Sequence, residues 1–210
     1  MVSVITGDII NSRDLKNQSL WLVPLKKLFN EVGKSPKTWE IYRGDYFQIE
    51  IKKPEDALLF AIRIKALVKS IKGIDVRMAI GIGKKSFTAA KVTESNGEAF
   101  IYSGEKFENL KKEKRTLSIK SPWASFDNEM NLYISLSLIA MDTWKQATAE
   151  TIQISIQNQN KGQQEIGAIL GVKQPTVSEG QTRGHYIEIM EMENLYRSKI
   201  KTLIKNDTTN

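Results

Sequence analysis

The stretch Val4-Ile5-Thr6-Gly7-Asp8-Ile9-Ile10-Asn11-Ser12-Arg13 decides the fold. An apolar run enters it, one carboxylate stands near its end, and a small polar turn with an arginine closes it. That pattern predicts a buried β-strand delivering Asp8 to a sheet edge. Thr38-Trp39-Glu40-Ile41-Tyr42 and Tyr46-Phe47-Gln48-Ile49-Glu50-Ile51 alternate apolar and polar residues around Arg43-Gly44-Asp45. They predict a β-hairpin with Asp45 at its tip. With the first strand beside this hairpin, Asp8 and Asp45 meet. Two facing carboxylates suit a hard divalent cation such as Mg²⁺. Taken singly, an aspartate in such a place is more often a turn former or a helix cap. The order of the surrounding elements is what favours the pair.

Outward from this stretch, Asp14 to about Val32 carries apolar residues at helical spacing, with Pro24 placed to kink or divide the helix. Pro54 marks the start of a second helix, Glu55 and Asp56 suit its first turn, and an apolar face continues to Gly73. Asp75 to Gly83 is nearly continuously apolar and ends in glycines, as a central strand does. Ser86 to Asn96 reads as polar and irregular, Gly97 to Leu110 as a helix, and Thr116 to Lys120 as a short strand. Ser121 to Asn128, with Pro122, is the expected domain boundary, giving domains at 1–122 and 129–205. Met130 to about Gln157 follows a mostly helical pattern, broken near Ala147. Tyr186 to Lys205 predicts a long final helix, and the residues from Asn206 read as a disordered tail.

Composition narrows the chemistry. The chain has 210 residues, no cysteine and one histidine, His185, so any metal site must rest on carboxylates. No apolar run is long enough to span a bilayer, and the N-terminus lacks a secretory signal, so the expected location is cytoplasmic with no membrane partner. The net charge of +7 is unevenly spread: residues 1–128 hold 23 Lys+Arg against 15 Asp+Glu, and residues 129–210 hold 8 against 9. The basic surface belongs to the N-terminal part, where it can meet an anionic partner or simply keep the protein soluble.

The order strand, helix, hairpin with Gly-Asp at its tip, helix, glycine-ended strand, loop, helix resembles the catalytic domain of class III nucleotide cyclases, a ferredoxin-like palm. The resemblance covers about residues 1–120 and rests on Asp8-Ile9, Gly44-Asp45 and Val76-Arg77-Met78-Ala79-Ile80-Gly81-Ile82-Gly83. It implies that Asp8 and Asp45 bind metal. It also implies that the backbone around Ile9, Asn11, Ser12, Arg13 and Gly44 cradles a nucleotide. The family's catalytic helix carries an asparagine and an arginine. In the register anchored on Gly97, those places hold Ile101 and Glu105. A glutamate cannot neutralise phosphate charge, so the resemblance points to a degenerate, nucleotide-binding domain.

The second constellation is Gln163-Gln164-Glu165-Ile166-Gly167-Ala168-Ile169-Leu170-Gly171-Val172-Lys173-Gln174-Pro175-Thr176-Val177-Ser178, which resembles a helix-turn-helix. Gly167 lets the helices cross, Gly171 supplies the turn, and Ile166, Leu170, Val172 and Val177 form a small core. Gln174, Thr176, Ser178 and Glu179 would face base edges, with Lys173 and Arg183 near phosphate. A plain helical hairpin is the competing reading, and Gly180 and Gly184 feed it by weakening the second helix by about 1 kcal/mol each relative to Ala. In the last helix, Ile189, Tyr196, Ile200, Leu203 and Ile204 form either a homodimer seam or a contact with the 130–157 helix. The whole combination is similar to the small bacterial SatD family, which implies a regulatory role and supplies no reaction. The expected fold is thus an α/β (α+β) ferredoxin-like nucleotide-cyclase palm followed by an all-α helix-turn-helix domain. The expected function is a DNA-binding transcriptional regulator with Mg²⁺ and a nucleotide as ligands. The alternative is an active nucleotidyl cyclase or two-metal nucleotidyl transferase in which Arg13, Arg43 or Lys84 replaces the missing cation.

Overall fold

The computed structural model describes residues 1–209. Five strands form one mixed sheet: β1 (Val2–Ile10), β2 (Trp39–Tyr42), β3 (Tyr46–Ile51), β4 (Asp75–Gly83) and β7 (Leu117–Lys120), in the order β2-β3-β1-β4-β7. β1 runs antiparallel to both β3 and β4, while β4 and β7 are parallel. The stretch that opens the chain is therefore interior to the sheet, as its apolar run requires. A two-stranded ribbon, β5 (Lys85–Phe87) with β6 (Asn96–Gly97), lies within the segment read as irregular.

Strand alternation sends successive side chains to opposite faces. Ile5, Ile9, Ile49, Val76, Met78 and Ile80 point into the main core, which α1 (Ser19–Phe29) and α2 (Ala57–Lys69) cover with Trp21, Leu25, Phe29, Leu58 and Ile62. α1 is shorter than the sequence suggests, because a 3₁₀ turn at Ser12–Asp14 precedes it, and it runs through Pro24 as one helix. On the other face, Val4 packs with Ala99 and Phe100 of α3 (Glu98–Glu113). α3 lies directly on the β4 backbone. A Cβ at Gly81 would overlap the Ala99 carbonyl and the Ser103 amide. Thr6 and Ser103 close the contact with a 3.0 Å hydroxyl–hydroxyl bond.

The C-terminal helices are α4 (Ala124–Met141), α5 (Gln146–Gln157), α6 (Gln163–Leu170), α7 (Gln174–Arg183) and α8 (Tyr186–Thr209). The break expected near Ala147 falls at residues 142–145, and α8 extends through the residues read as a tail. The buried cluster crosses from the sheet into these helices without a gap: Met130, Ile134, Leu138, Trp144, Ile152, Ile189, Tyr196 and Ile200 belong to the same core as Ile5 and Phe47. α8 returns to the N-terminal half, where the Tyr196 hydroxyl donates to the Pro54 carbonyl at 2.7 Å and Arg197 pairs with Asp56 at 2.6 Å. The α8 residues considered for a dimer seam are thus spent inside the chain, with Tyr196 and Ile200 fully buried and Leu203 and Ile204 packed against the core. Among the described residues the architecture is a mixed sheet with eight α-helices, and no helix is long and apolar enough to cross a membrane.

Candidate functional site

Asp8 sits opposite Tyr46 on β3 and opposite Arg77 on β4. Arg77 is the only charge between Asp75 and Gly83 in an otherwise apolar strand, so it needs a counter-charge from a neighbour. Asp8 supplies it with a two-pronged bond: Arg77 Nε donates to Oδ1 at 3.0 Å, and a terminal nitrogen donates to Oδ2 at 2.6 Å. Both groups are largely buried, where such a fork holds the guanidinium in one orientation. Asp45 is adjacent in register, since its carbonyl accepts from the Ile9 amide at 3.1 Å. Its carboxylate turns elsewhere: Oδ2 accepts from the buried Ser12 hydroxyl at 2.8 Å, and Oδ1 is buried without a partner.

The two aspartates are therefore neighbours with separate partners. Arg77 is the counter-charge that Asp8 faces, and no group of three His, Cys, Asp or Glu side chains converges among the described residues. This arrangement does not fit a two-carboxylate Mg²⁺ seat, and no chemical step is derived through a metal. The residues implied as a nucleotide cradle also diverge. Ile9 is a core side chain. Ser12 is buried against Asp45, while Arg13 and Gly44 are exposed at turns. Asn11 has a positive φ of 61° and lines a different cleft, with Lys72, Asp75 and Trp144.

What does converge is a groove of about 470 Å³ on the α3 side of the sheet. Thr6 and Gln48 form its polar floor, tied by a 3.3 Å bond. Tyr42, Tyr46 and Phe107 form an aromatic wall: the two tyrosine rings lie 6.1 Å apart, and Phe107 meets Tyr46 edge-on at 6.0 Å. The Arg77 guanidinium lies 5.8 Å from the Phe107 centroid. Arg43 and Lys111 contribute cations, Glu108 an acid, and Gly104 leaves the floor open. Burial raises the Tyr42 hydroxyl above its ordinary value, against the opposing pull of Arg43, so it stays a neutral donor. Apart from Arg43, a hairpin residue, these groups escape a reading by motif. The signal that finds Arg77 is the lone charge in an apolar strand beside a strand with one aspartate. Nothing local marks Phe107 or Lys111, because they arrive from α3 through the fold.

The site expected at the C-terminal end keeps its shape. α6 ends at Gly171, whose φ of 68° gives the left-handed turn, and α7 starts at Gln174. Gly167 admits the crossing: a Cβ there would lie 2.7 Å from the Val172 carbonyl and 3.5 Å from Val177. Ile166 and Val177 are buried, as expected, but Val172 is 40% exposed and does not join that core. α5 is the third member. Gly180 and Gly184 of α7 lie against Thr151 and Ile152 of α5, with a Cβ at Gly180 only 2.8 Å from Thr151. The glycines that read as weaknesses are the close-contact points of the unit. A relay of amides ties the three helices: Gln174 donates to Gln163 at 2.6 Å, Gln163 to Gln181 at 2.8 Å, and Gln181 to the Ser155 hydroxyl at 2.9 Å. Outward, Lys173, Gln174, Thr176, Glu179 and Arg183 are exposed, and Ser178 is half-buried. Arg183 pairs with Glu179 at 3.0 Å. Compared with known proteins, the chain matches no family model, no curated protein and no solved structure.

Proposed function

We propose that this chain is a DNA-binding transcriptional regulator whose N-terminal half is a degenerate nucleotide-cyclase-like sensor. The observation that carries the reading is the exposed polar face of α7, held on α5 and α6 by two packing glycines and the glutamine relay. Such a face has the dimensions of a recognition helix, and its first residues would meet base edges in the major groove. Gln174 is suited to adenine, with Thr176 and Ser178 as further contacts and Lys173 and Arg183 toward phosphate. The N-terminal order β1-α1-β2-β3-α2-β4 with sheet order 2-3-1-4 agrees with a ferredoxin-like palm.

The ligand of the sensor is a nucleoside phosphate in the Arg77 groove, its base against Tyr42 and Tyr46 and its phosphate toward Arg43 and Lys111. The missing catalytic pair supports binding over turnover: Ile101 is half-exposed, and Glu105 is taken by Lys120. The test is to select duplexes from a random library with the full chain and measure binding of the Gln174→Ala/Arg183→Ala variant. A selected consensus that the variant no longer prefers supports the reading, and failure to enrich any sequence refutes it. For the sensor, calorimetry with nucleoside mono-, di- and triphosphates should give binding that falls by roughly tenfold or more in Tyr46→Ala, which removes a stacking surface worth about 1–3 kcal/mol.

A further inference from the structure

α4 is apolar on two sides. One side, with Phe126, Met130, Ile134, Leu138 and Met141, is buried in the core. Leu132, Leu136 and Ile139 stand on the opposite side at i, i+4 and i+7, exposed by 57%, 57% and 72%. Three large side chains in one row make a contiguous stripe, unlike scattered single exposures. From Met130 to Met141 the helix carries no charged residue at all. α8 does not cover the stripe, because it packs along the flank where Ser137 meets Met192 and Lys199 meets Glu129 at 2.8 Å. No other element among the described residues closes over it.

We infer that a second copy of this chain covers the stripe, α4 against α4, about a two-fold axis near Leu136. Two observations favour this occupant. An uncharged row of Leu and Ile is self-complementary: laid on itself, it brings no like charges together and leaves no polar group unpaired, which is what an isologous contact demands. The ends are complementary as well. The helix is acidic at its start, with Asp127 and Glu129, and an exposed Lys145 follows its end, so an antiparallel pairing sets opposite charges and opposite helix dipoles against each other. α4 is 18 residues, or about 27 Å, long, which gives a contact of useful length when the ends engage. The inference stands on the stripe alone and holds whether or not the chain binds DNA.

Because the chain has no cysteine, one introduced thiol is unique. The full-length Leu136→Cys variant should form a disulfide-linked dimer under mild oxidation, and Ile187→Cys, exposed on α8, should not. By sedimentation, the wild type should be a dimer and Leu136→Glu a monomer with an unchanged circular-dichroism spectrum, since the side chain is exposed in the protomer. A monomeric wild type overturns the inference, and so does a Leu136→Glu variant that stays dimeric. A monomer that partitions onto lipid vesicles through the stripe would assign the face to a membrane surface and overturn it equally.

Discussion

Lys65 is a fully buried cation, and its ammonium holds the molecule's two halves together. It reaches Asp75 at 2.8 Å, Asp142 at 2.5 Å and the Thr116 hydroxyl at 3.2 Å. Asp142 lies in the α4–α5 turn, whose carbonyl also accepts from Lys69 at 2.7 Å, and two residues on Trp144 donates to the Gly184 carbonyl between α7 and α8 at 3.1 Å. One turn thus grips the sheet with its carboxylate and the α7 unit with its indole. Removing one partner of a buried charge cluster leaves the others uncompensated, so Lys65→Ala should lower unfolding stability by about 3 kcal/mol, read by urea denaturation. Tyr196 makes a different prediction. Burial pushes its hydroxyl well above the ordinary value of 10.0, so the folded state keeps the proton that the unfolded state gives up. Its contribution is complete below pH 10 and is lost as pH climbs further. Tyr196→Phe should flatten the alkaline fall of Tm, while losing about 1 kcal/mol at neutral pH with the bond to Pro54.

At the scale of elements, the α5–α7 contact reverses a propensity argument. Alanine favours a helix over glycine by about 1 kcal/mol, so Gly180→Ala should stabilise α7 if the position were open. Here the new Cβ would press on Thr151, and overpacking of this kind costs about 1–3 kcal/mol. The expected result is a lower Tm, and a higher one would mean the helices sit further apart. This position also marks what a sequence can and cannot disclose. The strands β1, β3 and β4 were legible because burial writes itself into period-two alternation and apolar runs. The α6–α7 turn was legible because Gly167 and Gly171 answer local demands. Gly180 was misread because its reason lies across space, on α5. The same holds for Asp8: its place in the strand was legible, but its partner, Arg77, depends on register between strands 69 residues apart. The groove was the least legible, since its walls come from the hairpin, β4 and α3 together.

For the whole molecule, the account joins a ligand groove on one face of the sheet to a reading helix at the other end of the chain, with the Asp142–Trp144 turn between them. The charge is divided unevenly. The C-terminal stretch that carries α7 is close to neutral, with 8 basic against 9 acidic residues, so general attraction to phosphate must come from the N-terminal part. Specificity, in contrast, is assigned to α7 alone. The most direct test compares the affinity of the full chain for its selected duplex with that for a scrambled one, at fixed salt, before and after Gln174→Ala. The account predicts that the wild type prefers the selected duplex. It also predicts that the variant loses about 1–3 kcal/mol of that preference while its binding to the scrambled duplex is unchanged. A variant that discriminates as well as the wild type, or a wild type that binds both duplexes alike, would contradict it.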